Sequence, residues 1–136
     1  MEITYLPVDD QGQVSVSGVA TAIKANTILI TIMHANNEVG TIQPIAELAQ
    51  IAKECGILLH TDAAQSIGKI PTTVDNLGVD LLSIAGHKVY APKGVGALFV
   101  RDGVKLANLE RLDQPILDVI DNPQKTQQTT AIATLF

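Results

Sequence analysis

Four short apolar runs constrain this chain more than any other feature of its sequence. Thr27-Ile-Leu-Ile-Thr-Ile-Met33, Gly56-Ile-Leu-Leu-His-Thr61, Asp80-Leu-Leu-Ser-Ile84 and Gly96-Ala-Leu-Phe-Val100 are aliphatic or β-branched, and they are continuous where a half-exposed strand would alternate. Runs of this kind are expected of strands buried on both faces. Helical patterns lie between them. Ile45, Leu48, Ala49, Ala52 and Cys55 recur at helical spacing, with Pro44 placed for the first turn and Gly56 for the stop. An earlier helix is predicted from about Val16 to Ala25, capped by Ser15 or Ser17, with Val16, Val19, Ala20 and Ile23 inward and Gly18 weakening its first turn. Strand, helix, strand, short helix, strand is the rhythm of βαβ units, so the predicted class is α/β, a mostly parallel sheet with flanking helices. After the turn-rich Pro92-Lys-Gly94, the run Gly96 to Val100 is close enough to return antiparallel beside its neighbour.

Composition narrows the function. With 46% hydrophobic and 17% charged residues, the 136-residue chain collapses rather than staying disordered. Aromatics are only 3%, without Trp, so the stacking platforms of single-stranded nucleic-acid binders are missing, and a net charge of −5 argues against a phosphate-backbone partner. Nucleic acid is therefore not expected. One cysteine, Cys55, and no Cys/His cluster at zinc-ligand spacing point to a reducing compartment, the cytoplasm. The opening Met1 to Tyr5 lacks the pattern of a signal peptide, and the apolar runs fall far short of the roughly 20 residues of a membrane helix, so no membrane association is expected. From about Asp102 the pattern degrades. Leu106 to Ile120 has room for an amphipathic helix, whereas Asp121 to Thr130 is polar and reads as a frayed tail. The expected division is 1–105 as one folded unit, part of a larger domain, and 106–136 as a tail of uncertain structure.

In open α/β sheets ligands bind beyond the carboxyl ends of the parallel strands. Here those ends carry His34-Ala-Asn-Asn-Glu38, His60-Thr-Asp-Ala-Ala-Gln-Ser66 and Ala85-Gly-His-Lys-Val-Tyr90. A lysine in a partly desolvated pocket loses its proton readily and attacks aldehydes, which suits Lys88. A carboxylate such as Asp62, aimed at a pyridine nitrogen, keeps that nitrogen protonated and makes pyridoxal phosphate an effective electron sink. Each residue also has a plain structural role available. Asp62 alone would cap the turn at Ala63-Ala64, His60 would be a hydrogen-bonded core histidine, and Cys55 a small buried hydrophobe. His34 is evenly balanced between a structural and a chemical role. Lys53, Lys69 and Lys93 read as solvated charges, and Gly94 and Gly96 as turn and packing glycines.

The segments Ile32-Met-His-Ala-Asn-Asn-Glu-Val-Gly40, His60-Thr-Asp-Ala-Ala-Gln-Ser-Ile-Gly-Lys69 and Asp80 to Arg101 closely resemble the cysteine desulfurase and selenocysteine lyase branch of the class V aminotransferases, over roughly residues 3–105. The resemblance implies part of the large domain of a fold type I enzyme that binds pyridoxal 5'-phosphate. It implies that Lys88 binds the cofactor aldehyde and later moves the substrate's α-proton, that Asp62 pairs with the pyridine nitrogen, and that Gln65 pairs with the ring hydroxyl. It further implies Asn37 at the ring hydroxyl or substrate carboxylate, and His87 at the phosphate. The implied substrate is a small amino acid, cysteine or selenocysteine, which loses sulfur or selenium to give alanine. A sulfur-acceptor protein and a homo-oligomer are implied as partners. Two departures stand out. Ala85 replaces the family's usual serine, which removes a phosphate hydrogen bond and leans toward the selenocysteine branch. The family's phosphate-binding turn, ring-stacking histidine and sulfur-accepting cysteine loop have no counterpart in these residues. Two functions therefore stay open: an incomplete desulfurase, or a truncated, non-catalytic α/β domain that binds the cofactor weakly or serves as an interaction fragment.

Overall fold

The computed structural model describes residues 2–106 and the backbone of 131–134. Its elements are β1 (Glu2–Tyr5), α1 (Val16–Ala22), β2 (Thr27–Met33), α2 (Ile45–Glu54), β3 (Leu58–Asp62), α3 (Val74–Leu77), β4 (Leu81–Ala85), a 3-10 turn (Gly86–Lys88), β5 (Gly96–Val100) and β6 (Ala131–Thr134). They form one six-stranded sheet in the order β1-β6-β2-β3-β4-β5. β2, β3 and β4 are parallel neighbours, β1 runs the same way, and β5 and β6 run against them. The expected α/β class, with its antiparallel strand Gly96–Val100, is what the chain adopts.

Helix formation follows from caps and stripes. Ser15 Oγ accepts the Gly18 N–H at 3.2 Å and so starts α1 despite the glycine. α2 begins after Pro44 and ends where Gly56 turns with φ +67°. Ile45, Leu48, Ala49 and Ala52 of α2 meet Ile30, Ile32, Leu59 and Leu82 of the sheet, together with Val19 of α1 and Leu77 of α3, in one buried cluster. Each large aliphatic side chain buried in this way contributes roughly 1.5–3 kcal/mol.

The structure departs from sequence-based expectation in two places. β2 and β3 are not buried on both faces, whereas Leu81 and Leu82 of β4 are both buried. Ile30 and Ile32 in β2, and Leu59 in β3, are buried, but their alternates Leu29, Thr31, Leu58 and His60 are only half-buried, because α1, α2 and α3 all feed the cluster on the other face. The inward stripes of α1 and α2 are also narrower than the apolar spacing predicts. Ala20 is exposed on α1, and Cys55 is the exposed C-cap residue of α2 rather than a buried one, because the chain has already left the helix there. Residues 131–134 form a strand wedged between β1 and β2. The frayed segment expected over 121–130 lies outside the described residues, as does the helical pattern expected after Leu106.

Leu48 is fully buried at the centre of the α2 seam. Leu48→Ala is expected to destabilise the chain by about 2–5 kcal/mol, read as a lower urea midpoint at unchanged slope.

Candidate functional site

The carboxyl ends of β2, β3 and β4 form one rim because their registers are locked together. Met33 pairs with Asp62 and Asp62 with Ser83, and the ladder closes with the His34 N–H on the Asp62 carbonyl at 2.8 Å and the Ala63 N–H on the Ser83 carbonyl at 2.9 Å. Asp62 is the last residue of β3, and Lys88 closes the 3-10 turn that follows β4. Neighbouring strands lie about 4.8 Å apart, so Asp62 and the turn that carries Lys88 leave neighbouring strands at the same rim.

The Asp62 carboxylate is divided in its contacts. Oδ1 accepts the Ala64 N–H at 2.8 Å, which makes the turn, while Oδ2 has no donor among the described residues. Lys88 is exposed and forms no ion pair among the described residues, and His87 beside it is exposed. Gln65 is half-buried in the turn after Asp62. Asn37 is exposed in the loop after β2, where its neighbour Asn36 does the structural work: Asn36 Oδ1 accepts the Glu38 and Val39 N–H groups at 2.8 and 3.0 Å. The five residues singled out from sequence thus all sit in segments that leave β2, β3 and β4 at this rim.

Close backbone approach fixes the lysine turn. The Gly86 N–H donates to the Val95 carbonyl at 2.8 Å, and a Cβ on Gly86 would lie 2.7 Å from that same oxygen. A Cβ on Gly96 would lie 2.9 Å from the Ile84 carbonyl. Both glycines let β5 press against the end of β4 and the turn that carries His87 and Lys88.

Two histidines lie under the rim. His34 is buried, its Nδ1 2.9 Å from Ser66 Oγ, and Ser66 Oγ in turn donates to the Ala63 carbonyl at 3.2 Å. His60 is half-buried, with Nδ1 2.6 Å from Thr31 Oγ1 and Nε2 2.8 Å from Ser83 Oγ. Burial lowers the pKa of both, and for His60 the charge of Asp62 opposes that lowering. Sequence gave no sign of the Thr31 and Ser83 partners, because residues on separate strands become neighbours only once the register is known.

The described clefts lie elsewhere. One of about 430 Å³ is lined by Val8, Val14, Pro44 and Glu47, and one of about 640 Å³ lies between loops 9–13 and 39–42. Neither includes Asp62 or Lys88. A rim formed by three strand ends with no layer above it is open, so cavity size is a poor guide here and the side-chain chemistry decides. Among the described residues no group of His, Cys, Asp or Glu is placed to hold a metal ion, and no helix is long and apolar enough to cross a membrane.

In an α/β sheet of this kind ligands bind beyond the carboxyl ends of the parallel strands, the rim that carries Asp62 and leads to Lys88. The Aminotransferase class-V family profile matches residues 1–130, and the chain belongs to that family. It is 62% identical over 105 residues to the cysteine desulfurase IscS of Dictyoglomus turgidum, covering 77% of this chain and 27% of that protein. Among solved structures it resembles SspA in complex with cysteine, at 54% identity and a TM-score of 0.70, covering 73% of this chain and 28% of that one. It also resembles a NifS-like protein at 44% identity and a TM-score of 0.73, covering 78% and 30%. The chain spans about a quarter of the length of these relatives.

Two outcomes follow from this geometry. Gly86→Ala is expected to destabilise the chain by about 1–3 kcal/mol in urea titration, because the added methyl meets backbone and not a movable side chain. Stability is also expected to fall as the pH drops through the ordinary histidine value of 6.5, because the unfolded chain then binds protons that the folded His34 and His60 refuse. Thermal midpoints measured between pH 8 and 5 should decline toward the acid side, and His34→Gln and His60→Gln should each flatten the decline.

Proposed function

We propose that this chain carries the cofactor-holding part of a pyridoxal-phosphate-dependent cysteine desulfurase. The observation that supports it best is the parallel pairing of β3 and β4, because Asp62 ends the first strand and the turn carrying Lys88 follows the second. The donor set suits the cofactor: a free amine for the aldehyde, and a carboxylate with one oxygen committed to its own turn and the other without a protein donor among the described residues. When bound, pyridoxal phosphate supplies an aldehyde for amino groups and a protonated ring that takes up electrons as bonds to the substrate's α-carbon break. Lys88 Nζ holds the aldehyde and carries the α-proton. Asp62 Oδ2 accepts the pyridine N–H, Gln65 orients the ring hydroxyl, Asn37 contacts the ring hydroxyl or the substrate carboxylate, and His87 contacts the phosphate. Ala85 offers no hydroxyl there.

The substrate is cysteine, converted to alanine with its sulfur passed to a thiol. Selenocysteine is the alternative that Ala85 favours. Cys55 is not that thiol. It ends α2, which runs back from the carboxyl rim, so Cys55 stands near the amino end of the five-residue strand β3, roughly 15 Å from Asp62 at about 3.3 Å per residue. The accepting thiol belongs to another part of the protein or to an acceptor protein. A homo-oligomer and a cytoplasmic, reducing setting complete the proposal, the latter because the chemistry needs a free thiolate.

A second possibility, a non-catalytic fragment, is favoured by the single covered sheet face, which leaves side chains such as Leu98, 49% exposed, open to association. One experiment separates the two. The chain is incubated with pyridoxal phosphate, reduced with borohydride and mapped by peptide. A pyridoxyl label is expected on Lys88, reduced at least about 100-fold in Lys88→Ala, and Asp62→Asn should weaken binding about 10- to 100-fold through loss of a charge-assisted hydrogen bond. Alanine release from cysteine or selenocysteine, with Lys88→Ala as control, then distinguishes an enzyme from a binder. Absence of any visible band with the cofactor overturns the proposal for this chain.

A further inference from the structure

Two residues short of the rim, β2, β3 and β4 carry Thr31, His60 and Ser83 on the sheet face away from the helices. Both ring nitrogens of His60 are engaged, Nδ1 with Thr31 at 2.6 Å and Nε2 with Ser83 at 2.8 Å, so one row of side-chain hydrogen bonds crosses three strands. Ser83 is also the register partner of Asp62. His60 and Asp62 share a strand and a face, one pleat apart, or about 7 Å. β2 (Thr27–Met33) and β4 (Leu81–Ala85) contain no ionisable side chain, and β3 adds only Asp62 to His60; Lys88 lies beyond the end of β4. The row is therefore a neutral brace directly under the one carboxylate of this face.

The backbone ladder leaves such a brace something to do. Its last rungs are the His34 N–H to Asp62 and the Ala63 N–H to Ser83; past them the three strands part into a loop, a turn and a 3-10 turn. No described helix covers this face to clamp it. We propose that His60 is a positioning residue that, by bridging Thr31 and Ser83, fixes the lateral spacing of the strand ends from which Asp62 and the Lys88 turn project. This rests on the roles given to Asp62 and Lys88 under Proposed function.

The test compares His60→Leu and His60→Gln in the whole chain by amide hydrogen exchange, and by the pH midpoint of the visible band with pyridoxal phosphate bound. In His60→Leu, exchange at the His34 and Ala63 amides is expected to rise on the order of tenfold, while the Ile57 amide, bonded to the Ala52 carbonyl on the far side of the fold, stays unchanged. The midpoint of the band should shift, and His60→Gln, which keeps a donor and an acceptor, should bring it back toward the parent value. A folded His60→Leu with unchanged exchange at both amides overturns the proposal, and so does faster exchange with an unmoved midpoint, which would make His60 a structural tether only. If His60→Leu does not fold, Ser83→Ala carries the same comparison at the Ala63 amide. A parent chain that never acquires the Lys88 label defeats the roles assigned to Asp62 and Lys88 by itself, and the exchange data then decide separately whether His60 sets the spacing.

Discussion

The parallel register of β2, β3 and β4 is the constraint on which the rest depends. Side chains in a strand alternate faces, so a slip of one residue would move every one of them to the opposite side. With Met33 opposite Asp62 and Asp62 opposite Ser83, Ile30, Ile32, Leu59 and Leu82 fall together onto α2. The same pairing sends Thr31, His60, Asp62 and Ser83 to the other face. Core and candidate site are thus two readouts of one hydrogen-bond ladder, and the hydrophobic cluster that selects the register also selects which polar groups meet.

The end of β4 shows how a second constraint is layered on the first. β5 runs antiparallel to β4, pairing Ala85 with Gly96, and the chain must turn sharply between them while presenting His87 and Lys88. That is possible only where two backbones can touch. Gly86 and Gly96 remove the atoms that would otherwise stand 2.7 and 2.9 Å from neighbouring carbonyls. Tyr90, with φ of 65° and its side chain fully exposed, marks the same turn as tightly bent. The lysine is placed by packing of main chain more than by any partner of its own.

Much of this was legible in the residues, and the failures have physical causes. β2 and β5 match the apolar runs residue for residue, and α2 matches its periodic stripe, because those patterns are dictated by burial that the chain itself provides. Continuity of an apolar run does not say how many layers cover it, so the runs of β2 and β3 are buried on one face while Leu81 and Leu82 of β4 are both buried. Four-residue β1, with Glu and Thr alternating with Ile and Tyr, carries too little pattern to stand out, and β6 is defined by the strands on either side of it more than by its own sequence. At the rim, residue types after strands marked the segments 34–38, 60–66 and 85–90 together with Asp62 and Lys88, and the family resemblance added Gln65, His87 and Asn37. Sequence could not tell that Asn36 makes the turn beside Asn37, nor that His60 finds its partners on two other strands.

The two oxygens of Asp62 reconcile the structural and the chemical descriptions of that residue. A carboxylate that only capped its turn would be replaceable by asparagine or serine at little cost, since Oδ1 and the Ala64 N–H are all the turn requires. A carboxylate that only held a ligand would need some other group to fix its rotamer. Here the cap fixes the rotamer, and Oδ2 is left without a donor among the described residues. His60 beneath it is kept neutral by burial even though Asp62 pulls the other way. Were the imidazole charged, it would compensate the Asp62 carboxylate from about 7 Å away on the same face. A neutral brace under an ionised carboxylate keeps that charge directed at whatever sits on the rim.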